Sequence, residues 1–386
     1  LPDPKDRIAF HESIQQITAL AYKHEFDKAW LVLDKMVVEW PQMPSVWFRM
    51  GEMGFNQEDY ALAIKHLKTY LEKVENKENT FKETIIFNPD SVIIRAKNML
   101  GQSYLHLENF DEAVRMFSEI IKRKSDNYEA YLNLGVTYFK QDMYSLALEN
   151  FQIYFKHRPV ERQALYNLSV CHFKLEDYKN ALTNYKALKA LDRAWPDIDI
   201  LITNTQELAE LFTPLFADIK TNPIEAHHEI AKNYYKLSYF SLALKHWEAQ
   251  HQLEGNVFKT LKDMGDVCYR LKDFPKAVKN WLKALEMQPE NDVLINNLAW
   301  VMASTNDPQI RNENHALTII EDLVRRHRKV HYLDTYSMVL AAVGQFDKAI
   351  AIANEAIALY GDANKQSIAA LKKQITLFKA GKAYYE

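Results

Sequence analysis

The sequence predicts an all-α solenoid, in which about nine repeated units stack on one another and a capping helix follows. Three observations predict this fold. An alanine recurs with a period of about 34 residues, an aromatic residue stands three positions before it, and a small residue usually stands 12 positions before it. A chance pattern would not recur in register along a 386-residue chain, so this period outweighs the chain length, which alone suggests about two or three globular domains.

The repeat can be followed through two series of residues. The recurring alanines are Ala29, Ala63, Ala113, Ala147, Ala181, Ala243, Ala277 and Ala349. The preceding aromatic residues are Phe26, Tyr60, Phe110, Tyr144, Tyr178, Phe240, Phe274 and Phe346. Three gaps in the alanine series are longer than the period, namely those that begin at Ala63, Ala181 and Ala277. The first two contain the insertions 78–93 and 196–223, and the third contains a ninth, degenerate repeat around Ala316.

The pattern is most regular in residues 128–161. With Tyr128 as place 1, large residues stand at places 4, 7, 11 and 24, small residues at places 8 and 20, and proline at place 32. This pattern resembles the tetratricopeptide repeat (TPR), a helix–turn–helix unit. The resemblance implies a right-handed α-solenoid whose first helices line a concave groove. The segments NNLAWVMAS and FKAGKAYYE are also similar to the ends of bacterial repeat proteins.

Places 8 and 20 lie where the two helices of a repeat are expected to cross. A large side chain at either place would hold the backbones apart, so close packing requires glycine, alanine or serine. Place 8 is occupied by Gly51, Gly101, Gly135, Ser169, Ala231, Gly265, Ala299 and Ser337. Only Ile17 in the first repeat departs, as expected for a terminal unit.

The order of repeats predicts four regions. Residues 1–9 are a lead-in, with Pro2 and Pro4 indicating extended backbone. An N-terminal TPR block of five repeats spans 10–195 and contains the insertion 78–93. An irregular helical insertion follows at 196–223, read either as a helical pair that continues the stack or as a flap over the groove.

The C-terminal TPR block of four repeats spans 224–363, and its eighth repeat is lengthened by STNDPQIRNEN between its helices. Residues 364–386 form a capping helix and tail. In that helix Ile368, Leu371, Ile375 and Phe378 share one face, and lysines occupy the other. We expect Asp362 to cap the helix and Gly381 to end it.

Composition excludes some function classes. A net charge of −3 argues against a nucleic-acid partner, because such a partner requires a basic surface that neutralises several phosphates. No apolar run approaches the roughly 18 residues of a membrane span. Cys171 and Cys268 lie in distant repeats and are expected to be buried free thiols that indicate little about the compartment.

The chain begins LPDPKDR, without methionine or a signal peptide. We therefore expect a segment upstream of Leu1 to have been removed, whether a signal sequence, a membrane anchor or a catalytic domain. This leaves the localisation open between the periplasm or a membrane anchor and the cytoplasm. The oligomeric state is equally open.

Signatures of catalysis are missing from the sequence. It contains no HExxH, no phosphate-binding glycine loop, no G-x-S-x-G and no CxxC. His227 and His228 are adjacent on a helix and are expected to point to different sides, and His246 and His251 have a poor spacing for one metal ion. We therefore expect no catalytic residue, no metal site and no cofactor.

The sequence supports protein binding better than it supports catalysis. In the resembled family, places 2, 5, 9, 12 and 13 of the first helices line the groove, and aromatic residues there alternate with an excess of lysine and arginine. This composition suits a protein or peptide segment with apolar anchors and some acidic residues. The candidate protein-binding residues are Phe48, Phe55, Arg95, Asn98, Gln102, Leu132, Phe139, Lys140, Tyr166, Phe173, Lys174, His228, Lys232, Tyr235, Lys236, Lys262, Tyr269 and Arg270.

One subset of the family holds the C-terminal carboxylate of chaperones in a two-carboxylate clamp. Repeats three to five match its residue pattern only at Asn133 and lack its lysine, so the chaperone-binding hypothesis is rejected.

The sequence therefore predicts a non-enzymatic scaffold that binds a partner segment in its groove and assembles a complex. The alternative is a recruitment domain of a larger enzyme, such as a membrane glycosyltransferase, whose catalytic part lies upstream of Leu1.

Overall fold

The computed structural model describes residues 4–75, 89–360 and 364–385. Within these ranges the chain forms twenty helices and no strand. The helices of the first part are α1 (Pro4–Tyr22), α2 (Phe26–Glu39), α3 (Pro44–Asn56), α4 (Tyr60–Glu75), α5 (Pro89–His106), α6 (Phe110–Arg123), α7 (Tyr128–Lys140), α8 (Tyr144–His157), α9 (Arg162–Lys174), α10 (Tyr178–Leu191) and α11 (Ile198–Asp218). The remaining helices are α12 (Pro223–Lys236), α13 (Phe240–Glu254), α14 (Phe258–Arg270), α15 (Phe274–Met287), α16 (Asp292–Ser304), α17 (Glu313–Arg326), α18 (Val330–Ala342), α19 (Phe346–Tyr360) and α20 (Lys365–Lys379).

Nine helix hairpins account for eighteen of these helices, as the period of the repeat predicts. The pairs are α1–α2, α3–α4, α5–α6, α7–α8, α9–α10, α12–α13, α14–α15, α16–α17 and α18–α19. All eight recurring alanines are fully buried, and so is Ala316 in the degenerate repeat. The predicted all-α solenoid of helix hairpins is confirmed.

The small residues at place 8 permit close approach of the two helices in a hairpin. A Cβ atom added at Gly135 would lie 2.6 Å from a ring carbon of Phe151, and one added at Gly265 would lie 2.2 Å from Trp281 Cδ1. Both distances are far below van der Waals contact. Each glycine therefore allows a large aromatic side chain of the second helix to pack directly on the first helix.

The turn inside each hairpin has a feature that the sequence pattern does not reveal. In the described residues, place 15 adopts a left-handed backbone conformation in eight of the nine hairpins. A glycine occupies this place only once, at Gly344 with φ of 79°. The other seven residues at this place are His24, Glu58, Glu108, Asp142, Glu176, Ser238 and Lys272.

Two compact units divide the chain, Leu1–Glu210 and Leu211–Glu386. The core of the first unit contains α5 and α6 side chains such as Leu100, Phe117 and Ile120, none more than 2% exposed. In the second unit α18, α19 and α20 meet through Leu340, Ala349 and Phe378. The boundary between the units falls inside α11.

Two helices begin earlier than predicted. The lead-in at residues 4–9 is helical, because α1 starts at Pro4. Proline is favoured in the first turn of a helix, where its missing N–H has no intrahelical partner in any case. Similarly, α5 starts at Pro89, so the last part of the predicted insertion 78–93 belongs to this helix. Residues 76–88, which contain most of that insertion, lie outside the described residues.

The insertion 196–223 contains one helix, α11, and not the helical pair that was one of its two readings. In the first unit its first residue, Ile198, is buried against Leu165 and Leu188. In the second unit Phe212 stacks on Tyr234 with ring centroids 4.1 Å apart. Apolar residues spaced along one continuous helix serve both packing contacts, so no break into two helices is required.

The last helix, α20, has the predicted two faces. Leu371, Ile375 and Phe378 are buried, whereas the lysines of the opposite face are exposed. The N-cap is Asn364, whose side chain accepts a hydrogen bond from the backbone N–H of Ser367 at 3.1 Å. The predicted cap, Asp362, lies outside the described residues. Gly381 follows the helix with φ of 66°, as expected for a glycine that ends it.

Candidate functional site

A pocket of about 310 Å³ opens on the first-helix face of the second unit, the face formed by α12, α14, α16 and α18. Most of its lining residues lie on the first helices of their hairpins, α12, α14, α16 and α18. The lining residues are Tyr235, Asp266, Tyr269, Arg270, Trp281, Asn296, Asn297, Trp300 and Thr335. We call this cavity the α14–α16 pocket.

Asp266 in this pocket is held by two donors. Trp281 Nε1 donates to its Oδ1 at 3.0 Å, and Lys262 Nζ donates to its Oδ2 at 2.7 Å. Burial lowers the pKa of Lys262, but the hydrogen bond and the charge of Asp266 outweigh this effect and the pKa is raised. The ammonium group of Lys262 therefore stays charged at neutral pH beside the side chain of Asp266.

Unlike Asp266, Asn296 has a side-chain oxygen that accepts no hydrogen bond from the described residues. Its Oδ1 atom is buried, and no hydrogen-bond donor in the described part of the chain reaches it. An unsatisfied buried acceptor typically costs about 1–3 kcal/mol. Asn296 lies on α16, across the pocket lining from the residues of α14.

Aromatic side chains form much of the pocket lining. Tyr269 packs on Trp281 with ring centroids 5.9 Å apart and on Phe274 at 5.8 Å. The guanidinium carbon of Arg270 lies 5.2 Å from the ring centroid of Phe240, within the range of a cation–π contact. These contacts hold the rings and the cation in place, so the pocket combines ordered aromatic rings with two charged groups, Arg270 and Asp266.

The C-terminal tail lies beside the same pocket. The Tyr384 ring packs on Trp300 with centroids 6.0 Å apart. The next residue, Tyr385, accepts a hydrogen bond from Arg311 Nη2 at 2.7 Å through its hydroxyl oxygen, and the guanidinium carbon lies 4.6 Å from its ring centroid. The Trp300 side chain thus lines the pocket and also receives a tyrosine ring from the chain itself.

Comparison with known proteins agrees with the helix-hairpin architecture and the period of the repeat. The family model described as "Tetratricopeptide repeat" matches residues 98–144 and 137–197. The matched segments of this chain are tetratricopeptide repeats. No curated protein matches its sequence.

Solved structures of other TPR proteins are similar over part of the chain. MamA residues 41 to the end from Desulfovibrio magneticus are 16% identical over 48% of this chain and 96% of that one, with a TM-score of 0.42. YrrB, described as a TPR protein with an unusual peptide-binding site, is 17% identical over 50% of this chain and 90% of that one, with a TM-score of 0.41.

Most of the candidate binding residues are exposed or half-buried. Tyr235, Tyr269 and Arg270 line the α14–α16 pocket, and Lys262 bonds to Asp266 within it. On the first-helix face of the first unit, Arg95 pairs with Glu52 and lies over Phe48. The remaining candidates at the surface of the two units, which are partly or fully exposed, are Phe55, Asn98, Gln102, Leu132, Phe139, Lys140, Tyr166, Phe173, Lys174, Lys232 and Lys236.

Two of the candidates are buried instead. Phe48 is 6% exposed and packs on Tyr70, an aromatic residue of α4. His228 is 5% exposed, with its ring nitrogens 3.3 Å from Gln250 Oε1 and 2.9 Å from Lys259 Nζ. Neighbouring helices cover both side chains, so neither is available to a partner in this conformation. Phe48 and His228 are therefore structural residues.

Several residues of the pocket were missed because the candidate set stopped at the seventh repeat. Asn296, Asn297 and Trp300 occupy places 5, 6 and 9 of the eighth repeat, so the same register already pointed to two of them. A contact between two histidines was also missed. His227 and His246, on different helices, have their Nδ1 atoms 2.9 Å apart, which no spacing in the sequence indicates.

The described ranges contain no cluster of side chains suited to a metal ion. There, no three histidine, cysteine, aspartate or glutamate side chains converge as ligands for a metal ion. No helix in those ranges is both long and apolar enough to cross a bilayer. Cys171 and Cys268 are free and buried, as predicted, and burial raises their pKa values to about 12 and about 11.

Proposed function

We propose that this TPR protein is a non-enzymatic scaffold that binds a segment of a partner protein on the first-helix faces of its repeats. The observation that supports this function most directly is the α14–α16 pocket, which lies on such a face and combines four aromatic side chains with Arg270. Buried aromatic and arginine anchors typically dominate the energy of protein interfaces. TPR proteins are typically scaffolds that bind proteins or peptides.

Charge defines the expected partner further. Lys232, Lys236 and Arg270 are at least partly exposed on α12 and α14, and so are Lys140 and Lys174 on α7 and α9. Lys232 is paired with Glu229 and contributes little, but Lys236 and Arg270 lie beside the pocket-lining Tyr235 and Tyr269 in the chain. A partner segment with acidic residues around an apolar anchor fits this arrangement.

Charge reversal tests the proposal in the second unit. The variant Lys236→Glu with Arg270→Glu should reduce partner capture in a pull-down and make the remaining capture less sensitive to salt, because it repels an acidic segment. The matched control is Lys279→Glu with Lys348→Glu, two exposed lysines on the second helices α15 and α19. Circular dichroism and gel filtration would verify that both variants fold.

A parallel pair tests the first-helix face of the first unit. Lys140→Glu with Lys174→Glu is compared with Lys122→Glu with Lys156→Glu, whose lysines are exposed on the second helices α6 and α8. Equal recovery of the partner by all four charge-reversed variants, with unchanged helicity, would remove both first-helix faces as binding surfaces. The search would then move to the second helices or the loops.

A further inference from the structure

Helix α20 and the tail that follows it carry an unbalanced positive charge. The whole chain has a formal net charge of −3, yet residues 365–385 contain five lysines and no acidic residue. All five lysine side chains are exposed. We call this surface the α20 lysine face, and its residues are Lys365, Lys372, Lys373, Lys379 and Lys382.

Several other cations of the second unit have carboxylate partners. Arg328 donates to both carboxylate oxygens of Glu355, at 2.6 and 2.7 Å, and Lys276 Nζ lies 3.2 Å from Asp273 Oδ2. By contrast, no carboxylate in the described ranges forms an ion pair with a residue of the α20 lysine face. The positive charges there repel one another, and an anion from outside the chain would offset this repulsion.

The lysines of α20 form a line along the helix. Lys365, Lys372 and Lys379 are each seven residues apart, so they lie two turns apart on one side of the helix, and the line is about 21 Å long. Lys373 lies beside the middle of this line. Such a line suits a series of carboxylates along a chain better than it suits one small anion.

The residues between the lysines favour a protein over a membrane surface. The exposed residues there are small, namely Ala369, Thr376 and Ala380, whereas Leu371 and Phe378 are buried. Helices that lie in a membrane interface bury an apolar face among the lipids. The large apolar side chains of α20 pack inside the second unit instead, which leaves only charge for contact with a partner.

We propose that the α20 lysine face is a docking surface for an acidic segment of a partner protein. Carboxylates along the segment face Lys365, Lys372 and Lys379, and the contact is electrostatic, without an apolar anchor. This surface shares no residue with the first-helix faces of the repeats. It therefore goes beyond the proposed function and gives the scaffold a second point of attachment.

The test uses decaglutamate as the probe of the full chain. The fluorescein-labelled peptide is titrated with protein at low ionic strength, and binding is followed by fluorescence anisotropy. Lys365→Gln with Lys372→Gln and Lys379→Gln should weaken binding about eightfold, because one exposed ion pair typically contributes about twofold in affinity. Added salt should weaken the binding of the wild-type protein more than that of this variant.

The matched control also removes three exposed lysines of the second unit, but from outside α20. It is Lys220→Gln with Lys279→Gln and Lys348→Gln, and it should bind the probe as the wild-type protein does. Circular dichroism would verify that both variants fold. A carbodiimide, which joins a carboxylate to an amine in contact with it, then locates the probe, and mass spectrometry should find the coupled lysines within residues 365–382.

Equal weakening by the two triple variants would overturn the inference, as would coupling spread over the lysines of other helices or no binding of decaglutamate at all. Vesicles of phosphatidylcholine and phosphatidylserine in equal parts are the second probe. Binding to these vesicles at a salt concentration that abolishes decaglutamate binding would replace the acidic protein segment with an anionic lipid surface. Each of these results leaves the proposed function intact if charge reversal on the first-helix faces still reduces partner capture, because the two tests change different residues.

Discussion

At the scale of single residues, small side chains determine how closely the two helices of a hairpin approach. Ala147 is fully buried, and Gly135 on the facing helix lies so close to Phe151 that a Cβ atom would clash. Gly265 has the same role beneath the pocket, where it lets Trp281 reach Asp266. The positions that define the repeat therefore also support the candidate site.

Ala147→Leu should destabilise the protein by overpacking the crossing of α7 and α8. Overpacking of this kind typically costs about 1–3 kcal/mol, and the measurement is the melting temperature by circular dichroism. Ala187→Leu, at an exposed position of α10, is the control and should have little effect. An unchanged melting temperature for Ala147→Leu would contradict the assigned register.

Asp334 on α18 predicts a dependence of stability on pH. Burial raises the pKa of its carboxyl group, and a hydrogen bond from Gln374 lowers it by less. Because the folded-state pKa lies above the unfolded value, the protonated group stabilises the fold below the unfolded pKa of about 3.8, and this stability is lost as pH rises through the folded pKa.

Asp334→Asn removes the buried charge. We expect it to raise the melting temperature at pH 7 and to have a smaller effect as the pH falls toward the unfolded pKa, because more of the wild-type carboxyl group is then protonated. Asp347→Asn, at a position in the first turn of α19, is the control and should not raise the melting temperature at pH 7, because the helix dipole favours a negative charge there. If the melting temperatures of the wild-type protein and of Asp334→Asn changed with pH in parallel, the buried carboxyl group of Asp334 would not contribute to the pH dependence of stability.

At the scale of elements, the hairpin turn is the feature that the repeat pattern leaves undetermined. Place 15 adopts positive φ in eight described hairpins, yet only Gly344 suits this conformation without steric cost. A non-glycine residue in the left-handed region costs roughly 1–2 kcal/mol. The hairpin tolerates this cost because the packing of two helices depends on the turn.

Lys272→Gly should therefore stabilise the α14–α15 hairpin. Relief of the left-handed backbone exceeds the greater chain entropy that glycine adds to the unfolded state, and the net gain should be at most about 1 kcal/mol. Urea denaturation would measure it. Lys283→Gly, in the interior of α15, is the control, and should destabilise by up to about 1 kcal/mol. A loss of stability with Lys272→Gly would show that the lysine side chain matters more than its backbone conformation.

At the scale of the whole molecule, the chain consists of two compact units whose boundary falls in α11. Contacts in a helical-repeat protein connect neighbouring repeats, so cooperativity can break down where the repeat is interrupted. We expect two blocks of different stability in hydrogen exchange, which change between Ala181 and Ala243. Uniform protection across that interval, with a single sharp denaturation transition, would contradict two independently unfolding blocks.

The sequence by itself determined the class of fold, the helix hairpins and the seam residues. Each of these follows from a local steric requirement that recurs in every repeat, such as the need for Ala147 or Gly135 at a helix crossing. The register also indicated part of the candidate site, including Tyr235, Tyr269 and Arg270, although it placed the buried Phe48 and His228 at the surface.

Only the tertiary structure decided which polar atoms have partners. The hydrogen bonds of Asp266, the unsatisfied oxygen of Asn296 and the packing of Tyr384 on Trp300 depend on how side chains from different helices meet. Such contacts are set by the distances between packed helices, and no period in the sequence encodes them. The repeat therefore predicts where a groove lies, whereas packing between helices determines what its pocket can bind.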